Sequence, residues 1–173
     1  MKVDPPFERP YDLSHLGKAG AKVAIDVGDS ERERLARWAG VVAVGAFHAE
    51  VSLVRHSPTR FRYSAKLDAK IEQACVVTLE PVRSEIAREI VRELYLVSPV
   101  RRALPKEAAV SPVEDDISEE IESLDYDLAK PLLEELSLAI DPFPRAQGVT
   151  FEPPADVKPE ESPFAVLKAL KEK

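Results

Sequence analysis

The most regular pattern of the chain lies in residues 61–75, where apolar and polar side chains alternate. The apolar side chains of this stretch stand at odd-numbered positions: Phe61, Tyr63, Ala65, Leu67, Ala69, Ile71 and Cys75. Because successive side chains of a β-strand point to opposite faces, this spacing predicts a strand with one buried face. Residues 41–56 alternate in the same way, and Ser57-Pro-Thr59 separates the two stretches. The pattern therefore predicts a long antiparallel hairpin at the centre of a sheet.

The residues before the hairpin predict two strands and a helix. Residues 7–13 are typical of a short edge strand or an extended amino-terminal arm, because Pro10 has no N–H to give to a ladder. Residues 21–27 alternate and predict a second strand. Ser30, followed three residues later by Glu33, forms a capping-box pattern, which predicts a helix over residues 30–39.

Helical signals return after the middle of the chain. Asp127 is suited to cap a helix over residues 128–140, and Pro131 falls within its first turn. Asp141-Pro-Phe-Pro-Arg145 ends this helix, because the residue before a proline prefers extended geometry.

The carboxyl-terminal residues predict a further, shorter helix. Ser162-Pro163 supplies a capping residue and a first-turn proline. The apolar face of the helix consists of Phe164, Leu167 and Leu170. A helix of about nine residues does not persist alone in water, so this face needs a surface on which to dock.

Residues 85–97 fit two structures. Ile86, Ile90, Leu94 and Val97 form a helical stripe. The first three also share one face of a strand with Leu96, and Arg88 and Arg92 then lie between them. Periodicity alone slightly favours the helix.

Composition limits how much of the 173-residue chain forms a compact core. Most of its fifteen prolines lie in residues 99–163, a stretch that is also acidic. Low hydrophobicity combined with high charge disfavours folding, so residues 105–123 are predicted to be a mobile acidic spacer. We expect one α+β domain with a mainly antiparallel sheet. Residues 1–104 contribute the hairpin part, and residues 124–173 contribute two helices that pack on the same domain.

Charge is distributed unevenly along the chain. Residues 55–102 contain 10 Lys/Arg and 6 Asp/Glu, whereas residues 103–173 contain 7 and 17. This split fits either a nucleic-acid surface beside a solvating tail or two ordinary solvent faces, and composition alone favours the second reading. The first residues lack the apolar run of a signal peptide, and no segment approaches about 18 consecutive apolar residues, so we expect a cytoplasmic protein with no membrane partner.

The sequence contains no recognisable catalytic or metal-binding motif. Cys75 has no adjoining histidine or basic cluster and stands at an apolar position, which predicts a small buried hydrophobic residue rather than a nucleophile. His15, His48 and His56 lack the spacing of metal ligands, and the carboxylates of residues 114–122 do not match a calcium loop. Phosphate-binding glycine loops and nucleophile elbows do not occur. We therefore predict no enzymatic activity, no metal and no cofactor.

Basic side chains follow the predicted hairpin at Arg55, Arg60, Arg62, Lys66 and Lys70. The last three share its polar face, where alternate residues are spaced about 6–7 Å apart and can follow a nucleic-acid backbone. Asp68 and Glu72 interrupt this row. The five basic residues are thus candidate RNA contacts, and the alternative is a plain solvated sheet face.

The order of the segments resembles a known family. After the helix signal Ser-Glu-Arg-Glu-Arg-Leu-Ala come Gln73-Ala-Cys-Val-Val-Thr-Leu-Glu-Pro-Val82, an acidic spacer, Leu136-Ser-Leu-Ala-Ile-Asp-Pro-Phe-Pro-Arg145 and Ser162-Pro-Phe-Ala-Val-Leu167. In this combination the chain resembles the YceD family, the large ribosomal RNA subunit accumulation proteins, in their alphaproteobacterial form. The site positions that carry the resemblance are Gln73, Cys75, Thr78, Leu79, Glu80, Pro81, Asp141, Pro142, Pro144 and Arg145.

The resemblance implies a bacterial, cytoplasmic, non-enzymatic protein needed for the accumulation or processing of large-subunit ribosomal RNA. The implied partner is this RNA or a pre-ribosomal particle, including its ribosomal proteins, and the chain is expected to be a monomer. The resemblance also favours a strand over residues 85–97. Many relatives have a second cysteine where this chain has Thr78, so metal or thiol chemistry is not carried over. The alternative function is a protein-interaction adaptor that uses the acidic tail and the terminal helix.

Overall fold

A computed structural model describes residues 4–97 and 117–151 of the chain. Five strands form one sheet in the order β2-β3-β4-β5-β6, and two short strands, β1 and β7, pair separately. The strands are β1 (Pro10–Asp12), β2 (Ala21–Asp26), β3 (Ala43–Ser57), β4 (Arg60–Ala74), β5 (Pro81–Leu96), β6 (Ile117–Ile121) and β7 (Asp125–Asp127). The helices are α1 (Asp29–Ala39) and α2 (Ala129–Ala139), and a short 3-10 helix covers Leu13–His15. The predicted α+β fold with a mainly antiparallel sheet is confirmed.

The predicted hairpin is the centre of the sheet. β3 and β4 have 15 residues each and pair antiparallel from Ala43 opposite Glu72 to Ser57 opposite Arg60. The apolar side chains of both strands lie on one face and are buried, as the alternation predicted. α1 packs against β3 on this face, and α2 packs against β4 and β5. The other face of the sheet carries the polar residues of the same strands, and we call it the outer face.

Residues 81–96 form a strand, so the periodicity argument for a helix is wrong there and the strand implied by the resemblance is confirmed. β5 pairs with β4 along its whole length, from Pro81 opposite Ala74 to Tyr95 opposite Arg60. Side chains four residues apart share a face in both a helix and a strand, so Ile86, Ile90 and Leu94 could not separate the two. The ladder of backbone hydrogen bonds with β4 selects the strand.

Strand β6 lies inside the segment that was predicted to be a mobile spacer, so the prediction is wrong for residues 117–121. β6 pairs with β5 in parallel, from Ile117 opposite Arg92 to Ile121 opposite Leu96. Ile121 is buried, and the carboxylate of Glu119 is held by charged partners. Residues 105–116 of the predicted spacer lie outside the described residues, as does the predicted terminal helix from Ser162.

An ion-pair network attaches β6 and α2 to β5. Arg92 is only 7 % exposed on the core face, and its Nη1 lies 2.7 Å from Glu134 Oε2 and 3.5 Å from Glu119 Oε2. Lys130 Nζ lies 2.7 Å from Glu119 Oε1, and the Tyr126 hydroxyl donates to Glu119 Oε2 at 3.0 Å. Burial disfavours the charge on Glu119, but these donors outweigh it and hold its pKa below the usual value. Charged residues thus occupy a core position because they are paired.

The ends of the two helices differ slightly from the sequence predictions. α1 begins at Asp29 after Gly28, so Ser30 is not its N-cap, and Glu31 rather than Glu33 accepts from the Gly28 N–H at 3.4 Å. α2 begins at Ala129 with Leu128 at the N-cap position, one residue later than predicted, and Asp127 supports the start of the helix because its Oδ1 accepts from the Ala129 N–H at 3.0 Å. The amino-terminal arm pairs over only three residues of β1, with β7.

Candidate functional site

A tight turn follows β4 and contains four of the ten site positions that carry the family resemblance. We call residues 75–80 the cysteine turn. Its two ends are closed by backbone hydrogen bonds, from Cys75 N–H to the Glu80 carbonyl at 2.8 Å and from Leu79 N–H to the Cys75 carbonyl at 2.9 Å. Pro81 then begins β5, where a proline is tolerated because it is the first residue of the strand. The turn therefore has a defined shape at one end of the sheet.

The second resembling stretch lies directly against this turn. We call residues 141–146 the proline loop, which follows the end of α2. Gln73 Nε2 donates to the Asp141 carbonyl at 2.8 Å, and Val76 N–H donates to the Pro144 carbonyl at 2.9 Å. A third contact, at 3.4 Å, joins the Ala146 N–H to Cys75 Sγ. Two segments nearly 70 residues apart in sequence thus form one surface, which we call the motif end.

Cys75 is buried, as predicted, but its surroundings are polar rather than hydrophobic. Cys75 has no solvent-exposed surface. The Thr78 hydroxyl and the backbone N–H groups of Ala146, Thr78 and Val77 point at Sγ and lower the pKa of the thiol to about 6. Cys75 Sγ, which accepts from the Ala146 N–H at 3.4 Å, therefore links the turn to the proline loop.

Leu79 presents a large apolar side chain from a strained backbone. Its φ angle is 63°, and in the described part of the chain it is the one non-glycine residue with a positive φ. A left-handed conformation costs a non-glycine residue roughly 1 kcal/mol or more, and strain of this kind collects at functional sites. The side chain is nevertheless 77 % exposed, so burial does not compensate for the strain.

Apolar exposure extends from Leu79 to neighbouring parts of the motif end. Val76 of the cysteine turn is 47 % exposed, and Phe143 of the proline loop is 69 % exposed. Asp141 fixes the loop by accepting a hydrogen bond from the Phe143 N–H at 2.9 Å, and Pro144 is buried. Arg145 and Pro142 are also exposed. The motif end thus combines apolar side chains with single charges, a composition typical of protein-contact surfaces.

The predicted basic row lies on the outer face, where each of its members is opposite an acidic residue of β5. Lys66 Nζ lies 3.2 Å from Glu89, and Lys70 Nζ lies 2.9 Å from Glu85. Arg62 Nε lies 3.8 Å from Glu93. This face is therefore a ladder of cross-strand ion pairs rather than a continuous positive surface.

The two remaining basic candidates stand at the opposite end of the hairpin from the cysteine turn. Arg60 Nε lies 2.9 Å from Glu93 Oε2, and its guanidinium lies 5.4 Å from the ring centroid of Tyr95. The Arg55 guanidinium lies 5.7 Å from the ring centroid of Phe61. The five basic residues thus do not converge with the motif end, and their contact with RNA stays a prediction.

Three contributors to the motif end are not among the residues predicted from the sequence: Val76, Phe143 and Ala146. Val76 and Ala146 contribute backbone N–H groups, which leave no signal in side-chain chemistry, and Val76 also exposes its apolar side chain. Phe143 lies between Pro142 and Pro144 in the sequence, and a phenylalanine between two prolines is the signal that could have indicated it.

Comparison of the chain with family models, with curated proteins and with solved structures finds no match. Within residues 4–97 and 117–151, no group of three or more His, Cys, Asp or Glu side chains is placed to hold a metal ion. The same described ranges contain no helix with the length and hydropathy needed to cross a membrane.

Proposed function

We propose that this protein is a non-enzymatic factor needed for the accumulation of large-subunit ribosomal RNA, and that it acts by binding a pre-ribosomal particle through the motif end. The biology of this proposal comes from the sequence resemblance to the YceD family. The observation that supports the site is the joining of Gln73, Val76 and Cys75 to the proline loop. Two of the stretches that carry the resemblance, at residues 73–82 and 136–145, thereby form a single surface.

The exposed side chains of the motif end favour a protein component of the particle as the direct contact. Leu79, Phe143 and Val76 offer apolar area, which stabilises a protein interface when it is removed from water. Phosphate recognition would instead need several unpaired cations. An adaptor that binds only proteins is supported by the same exposure, so a test has to distinguish it from a ribosomal role.

The outer face is a weaker candidate for the RNA contact. Lys66, Lys70 and Arg62 already have glutamate partners, so a phosphate would replace an existing ion pair and add little net attraction. The acidic residues that remain on the face would repel the backbone of RNA.

The proposal is tested by deleting the gene and by isolating the complexes of the tagged protein. Deletion is expected to lower large-subunit ribosomal RNA relative to small-subunit RNA. The tagged protein should recover large-subunit precursor particles. If the contact is made to protein, its association with a ribosomal protein should persist after nuclease treatment and depend weakly on salt.

An unchanged ratio of the two ribosomal RNAs after deletion would contradict the ribosomal role. Recovery of a protein partner that has no link to ribosomal particles would support the adaptor instead. Association that disappears with nuclease treatment and weakens steeply with salt would indicate a direct contact with RNA. The basic hairpin residues Arg62, Lys66 and Lys70 would then be the better candidates for that contact.

A further inference from the structure

The large apolar side chains that are most exposed lie around the motif end. Six of them are between 47 % and 81 % exposed, whereas three others in the described ranges, on β3 and β5, are only 37–39 % exposed. The six are Val42, Val76, Leu79, Leu138, Phe143 and Phe151. This concentration at one end is more than scattered surface apolar residues account for, and it calls for a cover.

Backbone hydrogen bonds and chain connectivity place Val42, Leu138 and Phe151 at the same end of the sheet as the motif end. Val42 N–H donates to the Glu72 carbonyl at 2.8 Å, next to the end of β4. Leu138 belongs to the last turn of α2, which ends at the proline loop. Phe151 follows Val149, whose N–H donates to the Ala146 carbonyl at 3.2 Å.

The described part of the chain ends where the uncovered side chains lie. Residues 152–173 continue from Phe151, and the ten residues 152–161 span up to about 35 Å when extended. They connect to residues 162–171, the segment whose sequence predicts a short amphipathic helix with Phe164, Leu167 and Leu170 on one face. An apolar helix face that needs a docking surface is therefore tethered beside an apolar surface that the described residues leave exposed.

We propose that residues 162–171 dock as a helix on the motif end of the same molecule, through Phe164, Leu167 and Leu170. A short tether keeps the segment at an effective concentration of about 1 mM. An intrinsic affinity of only about 0.1 mM then leaves the segment docked about nine-tenths of the time. Docking also supplies the tertiary contacts without which so short a helix is marginal.

The docked segment competes with any partner that uses the same apolar side chains. The inference thus goes beyond the proposed function, and it is tested on the isolated full-length chain whether or not the ribosomal role holds.

The test compares two substitutions in the full-length protein by NMR. Leu167→Asp places a charge in the proposed contact, and Ala165→Asp places the same charge on the opposite side of the predicted helix. We expect Leu167→Asp to shift the amide signals of Val76, Leu79 and Phe143 and to remove the helical carbon shifts of residues 164–170. The Ala165→Asp variant should leave the motif-end signals in place.

Three results would overturn the inference. One is a Leu167→Asp spectrum in which the motif-end signals do not move. A second is movement confined to other surfaces, such as Val54 and Val91 of the outer face. A third is dependence of the shifts on protein concentration, with a matching rise in sedimentation rate, because this would assign the docked segment to a second copy of the chain.

Discussion

Replacing Gln73 with methionine tests how strongly the proline loop is held to the sheet. Gln73 is 9 % exposed, and its amide donates to the Asp141 carbonyl at 2.8 Å. Methionine has a similar volume, so the variant removes the donor without opening a large cavity. The loss of one hydrogen bond costs about 1 kcal/mol, and an unpaired carbonyl raises this to about 2 kcal/mol. The midpoint of urea denaturation should therefore fall at unchanged slope.

Local exchange of amide hydrogens shows whether the loss lies at the loop. The Val76 N–H, which donates to the Pro144 carbonyl, should exchange faster in Gln73→Met. The exchange rates of amides in the central hairpin should change only as much as the global free energy of unfolding changes. Gln147→Met makes the same chemical change at an exposed position and should alter stability by less than about 0.5 kcal/mol. Equal stability and equal protection of the Val76 amide in wild type and Gln73→Met would refute the view that Gln73 holds the proline loop to the sheet.

Two further predictions concern charged groups. The pKa of Cys75 is about 6 in the folded state against an ordinary 9.0. The contribution of its thiolate to the stability of the fold is therefore complete above pH 9 and is lost as the pH falls through 6. The stability difference between wild type and Cys75→Ala, measured by denaturation, should thus grow from pH 6 to 9; a constant difference would contradict this. Arg92→Met leaves Glu119 and Glu134 without their shared cation and should cost about 3 kcal/mol, partly recovered in the double variant with Glu119→Gln. A cost below about 1 kcal/mol, as for an exposed pair, would count against the network.

The sheet was predictable from the sequence where one face of a strand is buried and the other is exposed to solvent. The alternation of residues 61–75 predicted the hairpin, the face on which each side chain lies and the burial of Cys75, and all three are observed. β5 was not decided by the same argument, because its apolar residues recur every four positions. β6 was missed because Glu119 occupies an inward position in an acidic stretch, and its neutralising partner Arg92 is 27 residues away.

The candidate site was predictable only as a set of residues. The motifs include Gln73, Cys75 and Asp141, but no sequence pattern indicates that the side-chain amide of Gln73 donates to the carbonyl of Asp141. The donors that lower the thiol pKa are mostly backbone groups, and Ala146 lies 71 residues from Cys75. The basic row was predicted on the correct face, but the opposing glutamates of β5 depended on the strand register, which the sequence left open.

Complementation of a deletion strain tests the central claim most directly, by measuring large-subunit relative to small-subunit ribosomal RNA. The motif-end variant combines Leu79→Asn, which suits the left-handed backbone, with Phe143→Ser at an exposed position, so both changes should spare the fold. The comparison variant replaces Arg62, Lys66 and Lys70 with glutamine. We predict that the folded motif-end variant fails to restore the ratio and that the hairpin variant restores it. Full restoration by the motif-end variant, with failure of the hairpin variant, would contradict the account.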